Sequence, residues 1–224
     1  MVSFVPTPIG NLGDITLRAL EVLKDADLIA CEDTRHSGKL LKHYEISKPL
    51  VSLHDHNEKH RGPELAARAA QGTKIAVISD AGTPCLSDPG YRLLQACIEL
   101  GAPYTVLPGA CSITTALVSS GFPPHPFFFG GFLPFKKGKR SKELQTALDR
   151  DHTSVYFESP HRIISTLELL SSLNSKAKVC ITKELTKKFE NIYGGSPPDL
   201  LGLLNDKAPR GELVLLIAPN EHTK

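Results

Sequence analysis

Three loops rich in glycine and proline are the parts of the sequence best suited to bind a ligand. They read PTPIGN (6–11), DAGTPCLSDPG (80–90) and LPGACS (107–112), and each follows a short apolar run typical of a strand. Such turns leave main-chain N–H and C=O groups free to meet a ligand. A turn that only reverses the chain explains any one loop equally well. Three loops at one end of a parallel sheet would instead form a binding wall made of backbone.

The motifs missing from these loops narrow the chemistry of the ligand. The sequence has no GxxxxGK[ST] phosphate loop, and no GxGxxG followed by a ribose-binding acid. A nucleotide held by its phosphates is therefore disfavoured. A nucleoside-type cofactor with a cation and a small polar tail is compatible with backbone recognition, and S-adenosylmethionine has that description.

Polar side chains also follow other predicted strands. Glu32, Asp33 and Arg35 come after one strand of the first half. Two explanations are equally good. The three residues are surface charges at the end of a strand, or Arg35 orients a ribose-phosphate group of a ligand. After two strands of the second half the corresponding residues are Glu158, His161, Lys183 and Glu184. Helix capping and ion pairing are the competing explanations for these four.

A basic segment preceded by aromatic residues suggests a nucleic-acid surface or a solvated helix start. Its cations are Lys136, Lys137, Lys139, Arg140 and Lys142, and its aromatic residues are Phe127, Phe128, Phe129, Phe132 and Phe135. Composition by itself favours the solvated helix start.

Three histidines in an HxHxxxH pattern superficially suggest a metal site. They are His54, His56 and His60, with Asp55 and Glu58 beside them. The pattern falls on a predicted loop without a defined scaffold, so we interpret it as a polar loop and predict no metal.

The composition is typical of a globular protein, and its overall charge does not favour binding to nucleic acid. The 224 residues are 41% hydrophobic, and 26 basic against 24 acidic residues leave a net charge of +2. No apolar run approaches the ~20 residues that cross a bilayer, and the N-terminus does not resemble a signal peptide. The lack of such a run predicts no membrane association. Five cysteines without a CxxC fit neither a disulfide framework nor a zinc site, which favours a reducing cytoplasm.

Short β-branched runs alternate with amphipathic helical segments almost from end to end, which predicts an α/β fold. The proline-rich stretch 120–126 cannot continue a helix or a strand. We therefore predict an N-terminal α/β domain over 1–119 and a C-terminal α/β domain over 120–224. Predicted strands are 2–5, 28–31, 50–53, 75–78, 104–107, 127–129, 154–157, 179–182, 189–193 and 212–217, and predicted helices include 15–26, 64–70, 91–100, 113–118, 162–173 and 200–204.

Seven motifs, in this order, resemble the ribosomal RNA branch of the tetrapyrrole methylase (class III methyltransferase) superfamily. They are VPTPIGNLGDITLRA, CEDTR, ISDAGTPCLSDPGY, LPGACSITTALVSSGFP, FFFGGFLPFKKGKR, VYFESPHRI and TKELTKKFE. The resemblance runs from about residue 4 to residue 217. It implies a homodimer of two-domain chains, with S-adenosylmethionine in a cleft between the two α/β domains. It also implies methylation of the ribose 2'-hydroxyl of a cytidine in the decoding centre of 16S ribosomal RNA.

The resemblance also implies site residues. The cofactor-binding residues are Pro8, Gly10, Asp80, Ala81, Gly82, Thr83, Pro84, Ser112, Thr115, Phe157, Leu185 and Gly211. Substrate contacts are expected from Asn11, Arg35, Phe132, Lys136, Lys137, Arg140 and Arg162. Many relatives continue beyond the last predicted strand, and no RNA contact from such an extension is expected here.

Methyl transfer to a hydroxyl group requires an in-line arrangement and a group that accepts the proton. The candidates for the proton acceptor are Asp33, Glu158, His161, Lys183 and Glu184, and the sequence does not choose among them. The expected partner is 16S ribosomal RNA in the small subunit. The alternatives are a same-fold methylase acting on a tetrapyrrole or diphthine precursor, and a non-catalytic RNA-binding protein.

Overall fold

The computed structural model describes residues 1–204 and 209–220, which form ten β-strands and eight α-helices. The chain divides into two compact units, Met1–Cys111 and Ser112–Lys224. Each unit combines helices with a five-stranded sheet, which confirms the predicted α/β class. No helix in the described ranges is long and apolar enough to cross a membrane.

The first unit is built on five parallel strands. These are β1 (Val2–Phe4), β2 (Leu28–Cys31), β3 (Leu50–Ser52), β4 (Ile75–Ile78) and β5 (Tyr104–Val106). Their order across the sheet is β3-β2-β4-β1-β5, with every neighbouring pair parallel. All residues of β1, β2 and β4 are buried, as expected for strands covered on both faces.

Four helices cover this sheet. They are α1 (Leu17–Asp25), α2 (Thr34–His43), α3 (Glu58–Ala70) and α4 (Tyr91–Leu100). One apolar cluster joins Phe4 and Val77 to Leu65 of α3 and Leu93 of α4. A second cluster holds residues from α1 and α2 together with the alternate residues of β2 and β4. Successive strand residues therefore enter opposite layers, as the period of two requires.

Two helices of the first unit differ from the prediction. The sequence predicts no helix over 34–43, because this segment carries few apolar residues, but Asp33 caps α2 and Leu41 anchors it in the core. The helix predicted from residue 64 begins at Glu58. Gly62 and Pro63 read as helix breakers, yet a Cβ on Gly62 would lie 3.1 Å from the amide nitrogen of Leu93. Close packing against α4 thus explains the glycine inside this helix.

The second unit has a mixed sheet. Its strands are β6 (Phe127–Phe132), β7 (Thr153–Glu158), β8 (Val179–Lys183), β9 (Asn191–Gly195) and β10 (Leu213–Ile217). The order is β6-β7-β10-β8-β9, in which β6 and β7 are parallel and the other neighbours antiparallel. As a consequence β6, β7 and β8 end at the same end of the sheet at which β9 and β10 begin. We call this the Lys183 end of the second sheet.

The helices of the second unit are α5 (Ser112–Ser120), α6 (Lys137–Asp149), α7 (Ile163–Leu173) and α8 (Pro197–Leu204). The division of the chain precedes α5, whereas the predicted boundary between residues 119 and 120 lies before the last residue of this helix. This helix packs against β8, β9 and β10, and so it lies with the second unit. The main core of the unit is formed by apolar residues of α6, α7 and α8 against the sheet.

Candidate functional site

The three glycine- and proline-rich loops of the first unit contact one another. Because β4, β1 and β5 are neighbours, the loops that follow them leave adjacent strand ends. Thr7 N–H donates to Gly82 O over 2.9 Å, and Gly82 N–H donates to Thr7 O over 3.0 Å. The Thr83 hydroxyl donates to Ala110 O over 3.1 Å. The loops therefore meet, as the sequence predicted.

At two positions of these loops, glycine leaves room for a residue of a neighbouring loop. Gly82 has φ +78°, and a Cβ there would lie 3.2 Å from Cγ2 of Ile9 and 3.7 Å from Ala110 O. A Cβ on Gly109 would lie 2.7 Å from Cβ of Pro6. Side chains at these positions would separate the loops or fill the surface between them.

The predicted cofactor residues of the first unit share this loop surface. Pro8, Gly82 and Pro84 are buried, while Asp80, Ala81 and Thr83 are half-buried and Gly10 is exposed. Ser79 sits below them and donates its hydroxyl proton towards Ala81 O or Gly82 O, at 3.3 and 3.2 Å. The backbone of the loop is thereby held from inside the unit.

Asp33 has a structural task next to this loop. Its Oδ1 accepts hydrogen bonds from the main-chain amides of Arg35 and His36 at 2.8 and 3.4 Å, which caps α2. The Arg35 amide is the main reason that the pKa of Asp33 lies below its usual value. The Asp33 amide in turn donates to Oδ1 of Asp80 over 3.4 Å. The carboxylate of Asp33, a candidate proton acceptor, therefore already accepts two hydrogen bonds.

Two predicted substrate residues of the first unit are exposed. Arg35 extends into solvent, with its Nε 3.6 Å from Oδ1 of Asp33. Asn11 accepts a hydrogen bond from the Gly13 amide over 3.0 Å and caps a short 3-10 turn, Leu12–Asp14.

Asp88, in the same loop as Gly82, is a candidate functional residue that is absent from the residues predicted from the sequence. Burial, reinforced by the negative charges of Glu32, Asp80 and Asp55, raises the pKa of Asp88 to about 6. Burial, with the charge of Asp80 next in importance, also raises the pKa of Glu32. The available signal was an acid inside a Gly/Pro loop directly after a buried strand. A carboxyl group with a pKa near neutrality is suited to proton transfer.

The histidine pattern forms a turn at the start of α3. Asn57 accepts from the His54 amide over 2.9 Å, and the buried carboxylate of Glu58 accepts from the amides of Gly90 and Arg92, both at 2.8 Å. Glu58 thereby caps α4. Among the described residues, no three His, Cys, Asp or Glu side chains form a group able to hold a metal ion, and Cys31, Cys85, Cys97 and Cys180 form no disulfide.

The second unit gathers its predicted site residues at the Lys183 end of its sheet. Leu213 pairs with Glu158 on one side and with Lys183 on the other. Lys183 pairs with Asn191, and Phe132 pairs with Phe157. The residues brought to this end are Phe132, Phe157, Glu158, His161, Arg162, Lys183, Glu184, Leu185 and Gly211. Ser112 and Thr115 lie in the first turn of α5.

Glu158 is 2% exposed, and its carboxylate is fully engaged by neighbours. One oxygen lies 2.6 Å from a guanidinium nitrogen of Arg162 and accepts from the Ser159 amide, also at 2.6 Å. The other accepts from the Thr166 hydroxyl at 2.8 Å. Arg162 also donates to Leu133 O over 3.1 Å. The pair joins the end of β7 to the chain after β6 and to the start of α7.

Glu184 joins the chain after β8 to the chain before β10. Its Oε1 accepts from the Glu212 amide and from Nζ of Lys187, both at 2.9 Å. The first of these hydrogen bonds is the main reason that the pKa of Glu184 is lowered. A side chain on Gly211 would collide with the Glu184 carboxyl group. The Glu184 carboxylate therefore stabilises the local backbone between the end of β8 and the start of β10.

Two other candidates near this turn keep a more open environment. His161 is exposed, and its main-chain amide donates to the Ser159 hydroxyl over 3.3 Å. Lys183 is half-buried, and its Nζ donates to Phe189 O over 3.4 Å. Leu185 is buried.

Aromatic rings and cations follow β6 on the surface. Phe157 is flanked by Phe129 and Phe132, with ring centroids 5.1 and 5.3 Å away. Phe132 is 62% exposed, and Phe135 is 85% exposed with the Arg162 guanidinium 5.8 Å from its ring centre. Lys136, Lys137, Lys139 and Lys142 are also exposed or half-buried at the surface. Arg140 departs from the exposed face that the sequence predicts for this basic segment, because its residue is only 6% exposed.

The chain is similar to a known family of methyltransferases over most of its length. The model of the tetrapyrrole (corrin/porphyrin) methylases matches residues 1–200, and the chain belongs to this family. The family makes it a methyltransferase whose cofactor is S-adenosylmethionine. The loop surface around Gly82 fits such a cofactor, since it presents main-chain groups and small apolar residues where a Cβ would intrude.

Relatives with a specific name are more than 40% identical to this chain. The chain is 47% identical over 216 residues to "Ribosomal RNA small subunit methyltransferase I" of Vibrio cholerae, covering 95% of this chain and 75% of that protein. It is 42% identical to the Bacillus subtilis protein of the same name, covering 95% and 73%.

Solved structures share the fold at low sequence identity. Uroporphyrin-III-C-methyltransferase from Thermus thermophilus aligns with a TM-score of 0.67 at 22% identity, over 97% of this chain and 93% of that one. A diphthine synthase aligns with a TM-score of 0.74 at 14% identity, over 97% and 89%.

Proposed function

We propose that this chain methylates the ribose 2'-hydroxyl of a cytidine in the decoding centre of 16S ribosomal RNA, with S-adenosylmethionine as the methyl donor. The observation that carries this proposal is an identity above 40%, over 95% of the chain, to proteins named as methyltransferases of small-subunit ribosomal RNA. The two solved structures described above, which carry other named functions, share the fold at 22% and 14% identity. We further propose that the protein acts in the cytoplasm as a homodimer on the small ribosomal subunit.

The cofactor would be held mainly by the joined loops of the first unit. When bound, S-adenosylmethionine supplies an electrophilic methyl group on a sulfonium. Pro8, Gly10 and the residues 80–84 would hold it through main-chain contacts and apolar packing. Ser112, Thr115, Phe157, Leu185 and Gly211 of the second unit are proposed to complete its site.

The acceptor hydroxyl must lose a proton while its oxygen forms the new bond to carbon. Among the five candidates, Asp33, Glu158 and Glu184 already accept hydrogen bonds that hold local structure. His161 and Lys183 remain proposals for proton transfer. We add Asp88, because a carboxyl group with a pKa of about 6 is ionised at neutral pH and still basic enough to take up a proton.

The RNA would be contacted by exposed cations and rings. Lys136 and Lys137 would neutralise phosphate groups, and Phe132 would stack on an unpaired base. Asn11 and Arg35 are proposed contacts from the first unit. Arg140 and Arg162 are proposed to act from beneath the surface, since both guanidinium groups are largely covered.

The decisive test is transfer of a labelled methyl group to defined acceptors. Purified protein would be incubated with labelled S-adenosylmethionine and small ribosomal subunits, protein-free 16S RNA, a uroporphyrinogen or a diphthine precursor. We expect label in the RNA, at a single cytidine 2'-oxygen when the modification is mapped. Label in a tetrapyrrole or protein, or on a base nitrogen or carbon, would refute the proposal.

The alternative that this chain binds RNA without catalysing methyl transfer needs a separate test. Calorimetry with S-adenosylmethionine is expected to show saturable binding by the wild-type protein. No binding at millimolar cofactor, together with retained RNA binding, would establish the non-catalytic alternative.

A further inference from the structure

Arg140 carries a buried positive charge that its surroundings do not neutralise. The residue is 6% exposed, and one of its terminal nitrogens donates to the Ser165 hydroxyl over 3.1 Å. Its Nε has no hydrogen-bond partner. Within the described ranges, no carboxylate lies within 4.0 Å of its guanidinium group. Burying an unpaired charge is costly, so the group is expected to serve a ligand.

Two acids of the surrounding elements are committed to other cations. Glu143 in the same helix accepts from Arg150 at 3.2 Å and from the Tyr156 hydroxyl at 2.6 Å. Glu158, near the start of α7, is paired with Arg162. Neither carboxylate is available to Arg140.

The first turn of α6 adds positive potential at the same place. The helix begins at Lys137, its cap residue Lys136 makes no side-chain hydrogen bond to it, and its first turn contains no acid. The leading main-chain amides of a helix lack partners within the helix and point outwards, which favours an anion there.

Arg140 is the fourth residue of α6, and its guanidinium group contacts Ser165 of α7. Helical side chains lean towards the N-terminus of their helix. Its contact Ser165 lies in the first turn of α7 and donates its own proton to Arg162 O over 2.8 Å. The guanidinium group therefore lies between the beginnings of α6 and α7. Lys136, directly before α6, and Lys137 and Lys139, in its first turn, are exposed.

We infer that the first turn of α6, charged from below by Arg140, is a binding site for a phosphodiester group of RNA. The leading amides of the helix and the exposed lysines would contact the phosphate oxygens, and Arg140 would hold the potential positive. The exposed ring of Phe135, directly before this turn, is placed to contact the adjoining nucleotide. The identity of the ligand as RNA rests on the proposed function, whereas the affinity for phosphate does not.

The site is tested by substitutions that change the charge at Arg140 but keep a side chain of similar length. Arg140→Gln is expected to weaken binding of a single-stranded RNA fragment about 10-fold and to lower the slope of log affinity against log salt by about 0.7. Arg140→Lys keeps the charge and should remain within about 3-fold of wild type. Lys176→Gln, at an exposed position near the opposite end of the sheet, is the control and should change neither.

Ser165→Asp keeps the test valid if Arg140→Gln fails to fold. The new carboxylate would neutralise Arg140 in place, so we expect a higher Tm and a loss of RNA affinity similar to that of Arg140→Gln. Inorganic pyrophosphate is a probe that needs no RNA. It should raise the Tm of wild type and shift the Arg140 Nε–H signal in NMR spectra, and it should do neither in Ser165→Asp.

These outcomes separate the site from the reaction. Unchanged RNA affinity and salt slope in Arg140→Gln, or in Ser165→Asp, would overturn the site even if ribosomal RNA is methylated. A pyrophosphate effect that depends on Arg140, in a protein that does not methylate ribosomal RNA, would support the site and refute the proposed function.

Discussion

The α-carbon of Gly82 faces Ile9 so closely that a β-carbon on it would lie 3.2 Å from Cγ2 of that residue. The two residues belong to loops that follow neighbouring strands, and the paired hydrogen bonds of Thr7 and Gly82 hold those loops together. The spacing of the two loops depends on this close approach, because a side chain at position 82 would press on Ile9.

Gly82→Ala is expected to weaken S-adenosylmethionine binding by at least about 10-fold, measured by calorimetry. The φ of +78° strains any other residue by about 1–2 kcal/mol, and the new methyl group presses the loops apart. Gly101→Ala is the matched control, because Gly101 also has a positive φ, of +63°, but a Cβ added to it would meet no atom within 4 Å. It should lose similar stability and keep its cofactor affinity. Equal cofactor binding in the two variants would contradict the loop assignment.

Asp33 variants distinguish a helix cap from a proton acceptor. Asn caps helices about as well as Asp does, so Asp33→Asn should keep the wild-type Tm, while Asp33→Ala should lower it by about 2–4 °C. We expect methyl transfer by Asp33→Asn to stay near the wild-type rate. A stable Asp33→Asn protein with a rate reduced about 100-fold or more would instead identify Asp33 as a catalytic residue.

Glu158→Gln is expected to destabilise the protein by about 3 kcal/mol in denaturant unfolding. The change leaves the Arg162 charge largely covered and without its carboxylate. The double variant Glu158→Gln with Arg162→Met removes both charges and should recover a substantial part of the lost stability. If Glu158→Gln unfolds like wild type but loses activity, the carboxylate takes part in the reaction and our structural interpretation is wrong.

Asp88 should make stability decrease with rising pH. Burial raises its folded-state pKa to about 6, above the usual value of 3.8, so folding favours the protonated form. This contribution is fully present below about pH 4 and is lost as the pH rises towards 6 and beyond. Asp88→Asn should therefore have a higher Tm than wild type at about pH 8 and nearly the same Tm at about pH 4. A constant difference between the two proteins across this range would show that the pKa of Asp88 is not raised.

Asp88→Asn also tests whether Asp88 accepts the proton during methyl transfer. If Asp88 accepts the proton, the single-turnover methylation rate of wild type should rise with pH through about 6 and then level off, and Asp88→Asn should lose that rise together with most of the rate. A wild-type pH profile in Asp88→Asn would remove Asp88 from the candidates.

The exposed lysines before α6 should govern the salt dependence of RNA binding. Replacing Lys136 and Lys137 with glutamine removes two phosphate contacts, which should lower the salt slope for a single-stranded site by about 1.4. Lys24→Gln, at an exposed position in α1, controls for the general charge of the protein. An unchanged slope in the double variant would exclude this segment from the RNA interface.

Local patterns are sufficient to predict most strands and the loops that carry the candidate cofactor site. The run 75–78 predicts a buried strand, and the structure forms β4 over those residues. The helices are less predictable where packing overrides local preference. Gly62 and Pro63 read as a break but lie inside α3, because the glycine permits close contact with α4.

The sequence by itself determined the α/β class, the family motifs and the identity of the Gly/Pro loops, because these depend on residue types and spacings that are local in the chain. Only the tertiary structure decided that β4, β1 and β5 are neighbours, which is why Thr7 meets Gly82 although the two residues are far apart in the chain. It also decided that Glu158 has an ion pair while the Nε of Arg140 has no partner. Burial and electrostatic partners are set by residues distant in sequence, so the protonation and charge of a site follow from the folded chain.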